Sequence, residues 1–199
     1  MSGIVHTIGH SNGTADHLLE LLRAHNITAV VDVRSQPYSR FNPQFNREEI
    51  AGFLKKAGIE YVFLGRELGA RSEDRSCYRN GRAQYALIAK SPLFVSGIQR
   101  LLAGAEKFSV AIMCAEKEPL GCHRTILIAR HLHERGVAVR HILEDGSVEN
   151  HDNLLLRLLA AHGMQENHLF HSKDELINIA YEMQAAQIEY DASEASQPA

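Results

Sequence analysis

The chain has 199 residues, 45% of them hydrophobic and 23% charged, with a formal net charge of -3 and three cysteines. That length can bury a sizeable core, and no apolar run approaches the ~20 residues that cross a bilayer, so a membrane partner is not expected. The opening MSGIVHTIGHS has neither a leader pattern nor a glycine at position two for myristoylation, and a cytoplasmic protein is expected.

In chain order, the β-branched run at 4–9 reads as a first strand, and Thr14 caps a helix with Leu18, Leu21 and Leu22 on one face. ITAVVDV (27–33) is a nearly continuous apolar strand, the pattern of a strand covered on both faces. Asn46 and Glu49 form a capping-box pattern for the next helix, which Gly58 ends. IEYVFL (59–64) is the third strand. A polar insertion from Gly65 to Gly81 follows, with arginines at 66, 71, 75 and 79 and another at 82; loops of this length tend to be functional or mobile. AQYALIAK is helical, and Ser91-Pro92 opens another helix. FSVAIMC (108–114) is the fourth strand, Arg124 to Arg135 a helix closed by Gly136, and VAVRHIL (137–143) the fifth strand. Beyond Asn150 the signals are helical, with Ser172 and Glu175 framing a capped helix.

Strand-helix-strand repetition predicts an α/β fold: a mostly parallel five-stranded sheet with helices on both faces, spanning residues 1–150, plus a C-terminal helical extension at 151–190. The tail at 191–199 is expected to lack order. The charge is uneven along this layout. Residues 34–82 hold ten basic and six acidic residues, eight of the basic ones arginine, whereas the chain from His141 onward holds two basic and eleven acidic. An arginine-weighted middle suits an anionic ligand, and equally a solvated surface paired with the acidic tail.

Ligands of open parallel sheets bind beyond the carboxyl ends of the strands. There the strands deliver His10 and Ser11, then Asp32 and Arg34 with Tyr38 and Arg40 in the following loop, then Cys114, Glu116, Cys122, His123 and Arg124, and finally His141. The helix starting near Gly121 to His123 offers unpaired N–H groups to an anion, Arg124 and Thr125 add donors, and a cysteine in that field becomes a better thiolate. The arrangement superficially resembles phosphatase and rhodanese loops. Their arginine falls six residues after the nucleophile, where this chain has Leu120, and membership is rejected. Plainer readings stand beside these: Cys114 as a small core hydrophobe, Asp32 and Arg34 as a structural pair, His141 as a half-buried edge residue, His131 and His133 as surface residues.

TIGHSN (7–12), VVDVRSQPYSRFNPQFN (30–46), GIEYVFLGRELGA (58–70) and CAEKEPLGCHRTILIARHL (114–132), closed by VRHI (139–142), together resemble the DUF488 family over about residues 4 to 150. The resemblance implies a small cytosolic bacterial α/β domain without an agreed reaction. Ala70 departs from the second glycine expected there.

Three functions compete, and the first is the expected one. The first is an enzyme, or enzyme-like binder, of an anionic, phosphate- or nucleotide-like small molecule, needing no cofactor. Here Cys122 or Cys114 would be the nucleophile or redox thiol, His10 or His123 the proton carrier, and Asp32 an orienting group. Ser11, Arg34, Tyr38, Arg40, Glu116, Arg124 and Thr125 would line the ligand. The second is a Zn or Fe site using Cys114, Cys122 and His123, with His10 and Glu116 as further donors. The third is a non-catalytic module that binds nucleic acid or a protein through the 66–82 arginines.

Overall fold

The computed structural model describes residues 3–165 and 170–192. Strand β1 (Val5–Gly9) leads to helix α1 (Ala15–Ala24), whose start is capped by Thr14 Oγ1 accepting from the His17 N–H at 3.1 Å. Strand β2 (Ala29–Asp32), helix α2 (Arg47–Lys56) and strand β3 (Glu60–Phe63) follow. The expected Asn46–Glu49 box does not form. Asn46 Oδ1 instead accepts from the Ser39 N–H at 2.7 Å, so the cap oxygen is used to close the preceding loop.

The arginine-rich insertion carries more structure than its polarity suggested. It contains α3 (Gly65–Leu68), a 3₁₀ turn, and a small hairpin of β4 (Tyr78–Arg79) and β5 (Arg82–Ala83). Asn80 and Gly81 turn it at φ 51° and 81°, the paired positive φ values of a type I′ turn. Then come α4 (Tyr85–Ile88), α5 (Pro92–Ala105, capped by Ser91) and β6 (Val110–Cys114). A π-helical segment, Arg124–Ala129, runs into α6 (Arg130–His133). The chain continues through β7 (Val139–Ile142), β8 (Val148–Asn150), α7 (His151–Ala161) and α8 (Lys173–Ile188), the last opened by a complete Ser172–Glu175 capping box.

The main sheet has the order β3-β2-β6-β1-β7-β8, parallel except for β8. The five expected strands are present, and β8 is an addition, an antiparallel edge too short to be read from the sequence. Alternate residues of β6 serve opposite faces. Ala111 and Met113 pack under α1 and α2 with Leu22, Ile50 and Leu54, while Val110, Ile112 and Cys114 pack under α5, the π-helical segment and α7. Among the described residues no helix is long and apolar enough to cross a membrane. Most of the expected tail, residues 193–199, lies outside the described residues; Asp191 is described and bridges to Arg82.

Because β8 covers β7, His141 is completely buried rather than half-buried at an edge. It joins a chain of polar side chains through the second face. Thr7 Oγ1 lies 2.8 Å from His141 Nδ1, His141 Nε2 lies 2.9 Å from His151 Nδ1, and His151 Nε2 lies 2.8 Å from the Tyr181 hydroxyl of α8. His131 and His133 are also partly covered, His131 meeting Phe94 edge-on.

Burial first, and then each other's proximity and nearby cations, lower His141 to about 2; burial and His133 lower His151 to about 3. Below about pH 6.5 the unfolded chain protonates both, while the folded chain refuses until far lower pH. Their contribution is therefore complete above that value and lost as pH falls, by up to about 1.4 kcal/mol per pH unit for each histidine. Urea unfolding between pH 7 and pH 4 should show this fall, and His151→Gln should reduce the slope by about one proton. An unchanged slope would count against the neutral, buried relay.

Candidate metal and thiol site

β6 is buried at every position and ends at Cys114, so its last side chain is fixed by the sheet. The loop that follows is pressed against the end of β1. The His10 N–H donates to the Cys114 carbonyl at 3.0 Å and the Ser11 N–H to the Ala115 carbonyl at 2.9 Å. A Cβ at Gly9 would lie 1.9 Å from the Glu116 carbonyl oxygen, so only glycine permits this approach. Arg124, wholly buried at the start of the π-helical segment, donates from its guanidinium to the Glu116 and Lys117 carbonyls, the second at 3.0 Å.

This folding brings four donor side chains together. One ligating atom each from Cys114, Glu116, Cys122 and His123 lies within 4.8 Å of all the others. Glu116 Oε2 is 2.7 Å from the Cys114 sulfur and 3.1 Å from the Cys122 sulfur, and His123 Nδ1 is 3.7 and 3.9 Å from the same two atoms. His123 Nε2 lies 3.0 Å from the Val33 carbonyl. A carbonyl can only accept, so Nε2 carries a hydrogen and Nδ1 is the nitrogen that faces the sulfurs. Both thiols are almost completely buried, whereas Glu116 is exposed as a residue with its carboxylate tip turned in between them.

The sulfurs are electrostatically unequal. Burial, the Cys122 sulfur and Glu116 push the Cys114 thiol well above its ordinary value. Burial opposes ionisation of Cys122 as well, but the hydrogen bond with Cys114, the Arg124 guanidinium and His123 outweigh it and hold Cys122 well below. The Arg124 N–H also lies 3.5 Å from the Cys122 sulfur. His123 is raised, with burial opposing and Cys122 and Glu116 favouring its proton.

A second cluster stands beside the first. Asp32, fully buried, receives Arg34 Nε at 2.9 Å and NH2 at 2.6 Å, and the Tyr61 hydroxyl at 2.7 Å. Arg34 also donates to the Phe45 carbonyl at 2.9 Å and meets His10 Nε2 at 3.0 Å. His10 Nδ1 lies 2.7 Å from the Ser11 carbonyl and its ring stacks on Phe45 at 4.0 Å. His10 is therefore neutral, donating from Nδ1 and accepting at Nε2; burial and Arg34 lower it to about 4.

These contacts sort the residues expected at the site. Cys114, Cys122, His123 and Glu116 converge, and Asp32, Arg34 and His10 form the adjoining network. Arg34 is engaged by Asp32, His10 and the Phe45 carbonyl, and Arg124 donates from its two terminal nitrogens to backbone carbonyls while its buried Nε has no hydrogen-bond partner among the described residues; both nitrogens of His10 are engaged. Thr125 is buried and its hydroxyl has no hydrogen-bond partner among the described residues. Ser11 turns the chain at φ 52°, Tyr38 is 58% exposed and bonded to Glu48, and Arg40 stacks over the exposed Phe41, so these three stay outside the four-donor cluster. Tyr61, Phe45 and the Val33 carbonyl were not anticipated; only Tyr61 left a signal, as a polar aromatic in the apolar strand next to β2, where it stands opposite Val30.

A family model described as "Domain of unknown function DUF488" matches residues 14–131. No curated protein and no solved structure matches the chain.

Asp32→Asn leaves a buried guanidinium without its counter-charge and is expected to cost about 3–5 kcal/mol in urea unfolding. Arg40→Ala, at the exposed lip, should stay within about 0.5 kcal/mol. Equal effects of the two would contradict the structural role given to the Asp32–Arg34 pair.

Proposed function

The chain belongs to the DUF488 family, and on that footing we propose that Cys114, Glu116, Cys122 and His123 bind a soft divalent metal, Zn2+ or Fe2+. The observation that carries this reading is the mutual approach of four donors from a 10-residue span, with His123 locked in the tautomer that aims Nδ1 at both sulfurs. Tetrahedral Zn2+ with ordinary bond lengths separates its sulfur and imidazole ligand atoms by about 3.6 Å. The two distances seen, 3.7 and 3.9 Å, are close to this. The Val33 carbonyl supplies the outer partner that orients a ligating histidine. Two thiolates and a carboxylate exceed a divalent charge by one, and the buried Arg124 guanidinium offsets the remainder.

Four protein donors would close a tetrahedral site, so a bound metal would act as a Lewis acid only toward a small ligand that displaced Glu116, the exposed member of the set. The protein's own residues hold the donors, exclude water from the sulfurs and fix the proton on His123 Nε2. The anion-binding enzyme reading keeps one specific support, the depressed Cys122 beside His123 and Arg124, which suits a thiolate nucleophile. It is weakened by the prior engagement of Arg34 and Arg124.

Elemental analysis of untagged protein from metal-replete culture should find about one equivalent of Zn or Fe, and a chelator should unmask two additional thiols to a disulfide reagent. Loss of a hydrogen-bond partner outside the ligand set already weakens metal sites about 10–100-fold, so Cys122→Ser and His123→Gln should each weaken binding more than about 100-fold. Metal well below one equivalent, with Cys122 rapidly alkylated in native protein, would overturn the metal reading and leave the thiolate one.

A further inference from the structure

Helices α7 and α8 lie beyond the segment matched by the family model, yet both reach the loop that joins the two cysteines. Arg157 of α7 pairs with Glu118. Gln184 of α8 donates from its amide nitrogen to the Leu120 carbonyl at 3.0 Å, two residues before Cys122. That donation leaves Gln184 Oε1 as an acceptor, and it lies 3.0 Å from His162 Nε2. The amide is thus held at both ends in a site where the residue is only 9% exposed.

α8 presents this group on a face built for specific contact. Its buried positions are Leu176, Ala180, Tyr181 and Gln184, two of them polar. Tyr181 bonds to His151, and farther along Glu189 accepts from the Tyr85 N–H at 2.7 Å while the Tyr85 hydroxyl reaches the Ile188 carbonyl at 3.4 Å. A helix held by hydrogen bonds is fixed in rotation and register more tightly than one held by apolar packing alone. The loop between the donors is correspondingly pinned at three carbonyls, two by Arg124 and one by Gln184.

We propose that Gln184 is a positioning residue for the Cys114–Glu116–Cys122–His123 centre, and that α8 sets how tightly the centre holds its metal and how well it shields Cys122. The metal half of this statement rests on the function proposed above; the shielding half does not. Gln184 touches no donor atom. It acts through the Leu120 carbonyl, which fixes the backbone leading into Cys122.

The test compares two α8 variants in the full-length chain. Gln184→Met fills nearly the same volume but loses the donor to Leu120; Tyr181→Phe loses the bond to His151 and leaves the loop contact intact. Both should lower Tm by a few degrees, which a purely structural role also predicts. With Zn2+ alone as probe, chelator competition should show about tenfold weaker binding in Gln184→Met, within the range for outer-shell partners, and unchanged binding in Tyr181→Phe. In metal-free protein, iodoacetamide should modify Cys122 several-fold faster in Gln184→Met than in Tyr181→Phe. Equal Zn2+ affinities in the two variants, or equal alkylation rates, would overturn the assignment. If the wild type binds no Zn2+, the metal reading fails by itself, and the alkylation comparison still decides for or against Gln184.

Discussion

The site depends on a buried guanidinium. Arg124 is wholly enclosed; its two terminal nitrogens donate to the carbonyls of Glu116 and Lys117, and its Nε has no partner among the described residues. A cation in that position is tolerable only where oxygen atoms surround it, because desolvating an unpaired charge is costly. The loop after β6 meets this requirement by curling its carbonyls inward. The same curl brings the loop onto Gly9 and turns the Glu116 carboxylate toward the sulfurs. Nor is the segment carrying Arg124 an ordinary helix. Arg124–Ala129 is π-helical, a wider turn that is rare and tends to occur at functional sites. The donor set ends at His123, and the irregular backbone begins at the next residue, Arg124.

The neighbouring network follows the same rule with a different counter-charge. Arg34 is satisfied by the Asp32 carboxylate, with Tyr61 and the Phe45 carbonyl completing the shell. His10 closes it by accepting at Nε2. Because the Val33 carbonyl between Asp32 and Arg34 also receives His123, the two networks share a stretch of backbone after β2. Their rigidity is therefore linked through the backbone that they share.

Much of this was legible before folding. The parallel strands announced themselves as short apolar runs, since both faces are covered, and the chemistry-bearing residues could be assigned to the carboxyl edge by topology alone. Cys114, Glu116, Cys122 and His123 were readable as neighbours because they fall within one strand-to-helix connection. What escaped depended on long-range pairing or on which partner claimed a polar group. β8 has three residues and little pattern. The Asn80-Gly81 turn was hidden in a stretch read only for its arginines. The arginines looked available to a ligand because nothing in a sequence says that carbonyls will consume them. The relay through Thr7, His141, His151 and Tyr181 joins residues up to 174 positions apart. Likewise the inward face of α8 was unreadable as a docking face because its key contacts are polar.

The small β4–β5 ribbon carries one more consequence. Ala83 donates to the Tyr190 carbonyl at 2.8 Å, Ala192 donates to the Gly81 carbonyl at 2.9 Å, and Arg71 stacks over the Tyr190 ring at 4.2 Å. The chain after α8 thereby lies along β5 as a third, antiparallel partner. An unpaired edge of this kind is a template on which a second molecule can add its own strand. Residues 190–192 of the same chain cover the β5 edge, so the backbone groups that a second molecule's strand would need there are already paired.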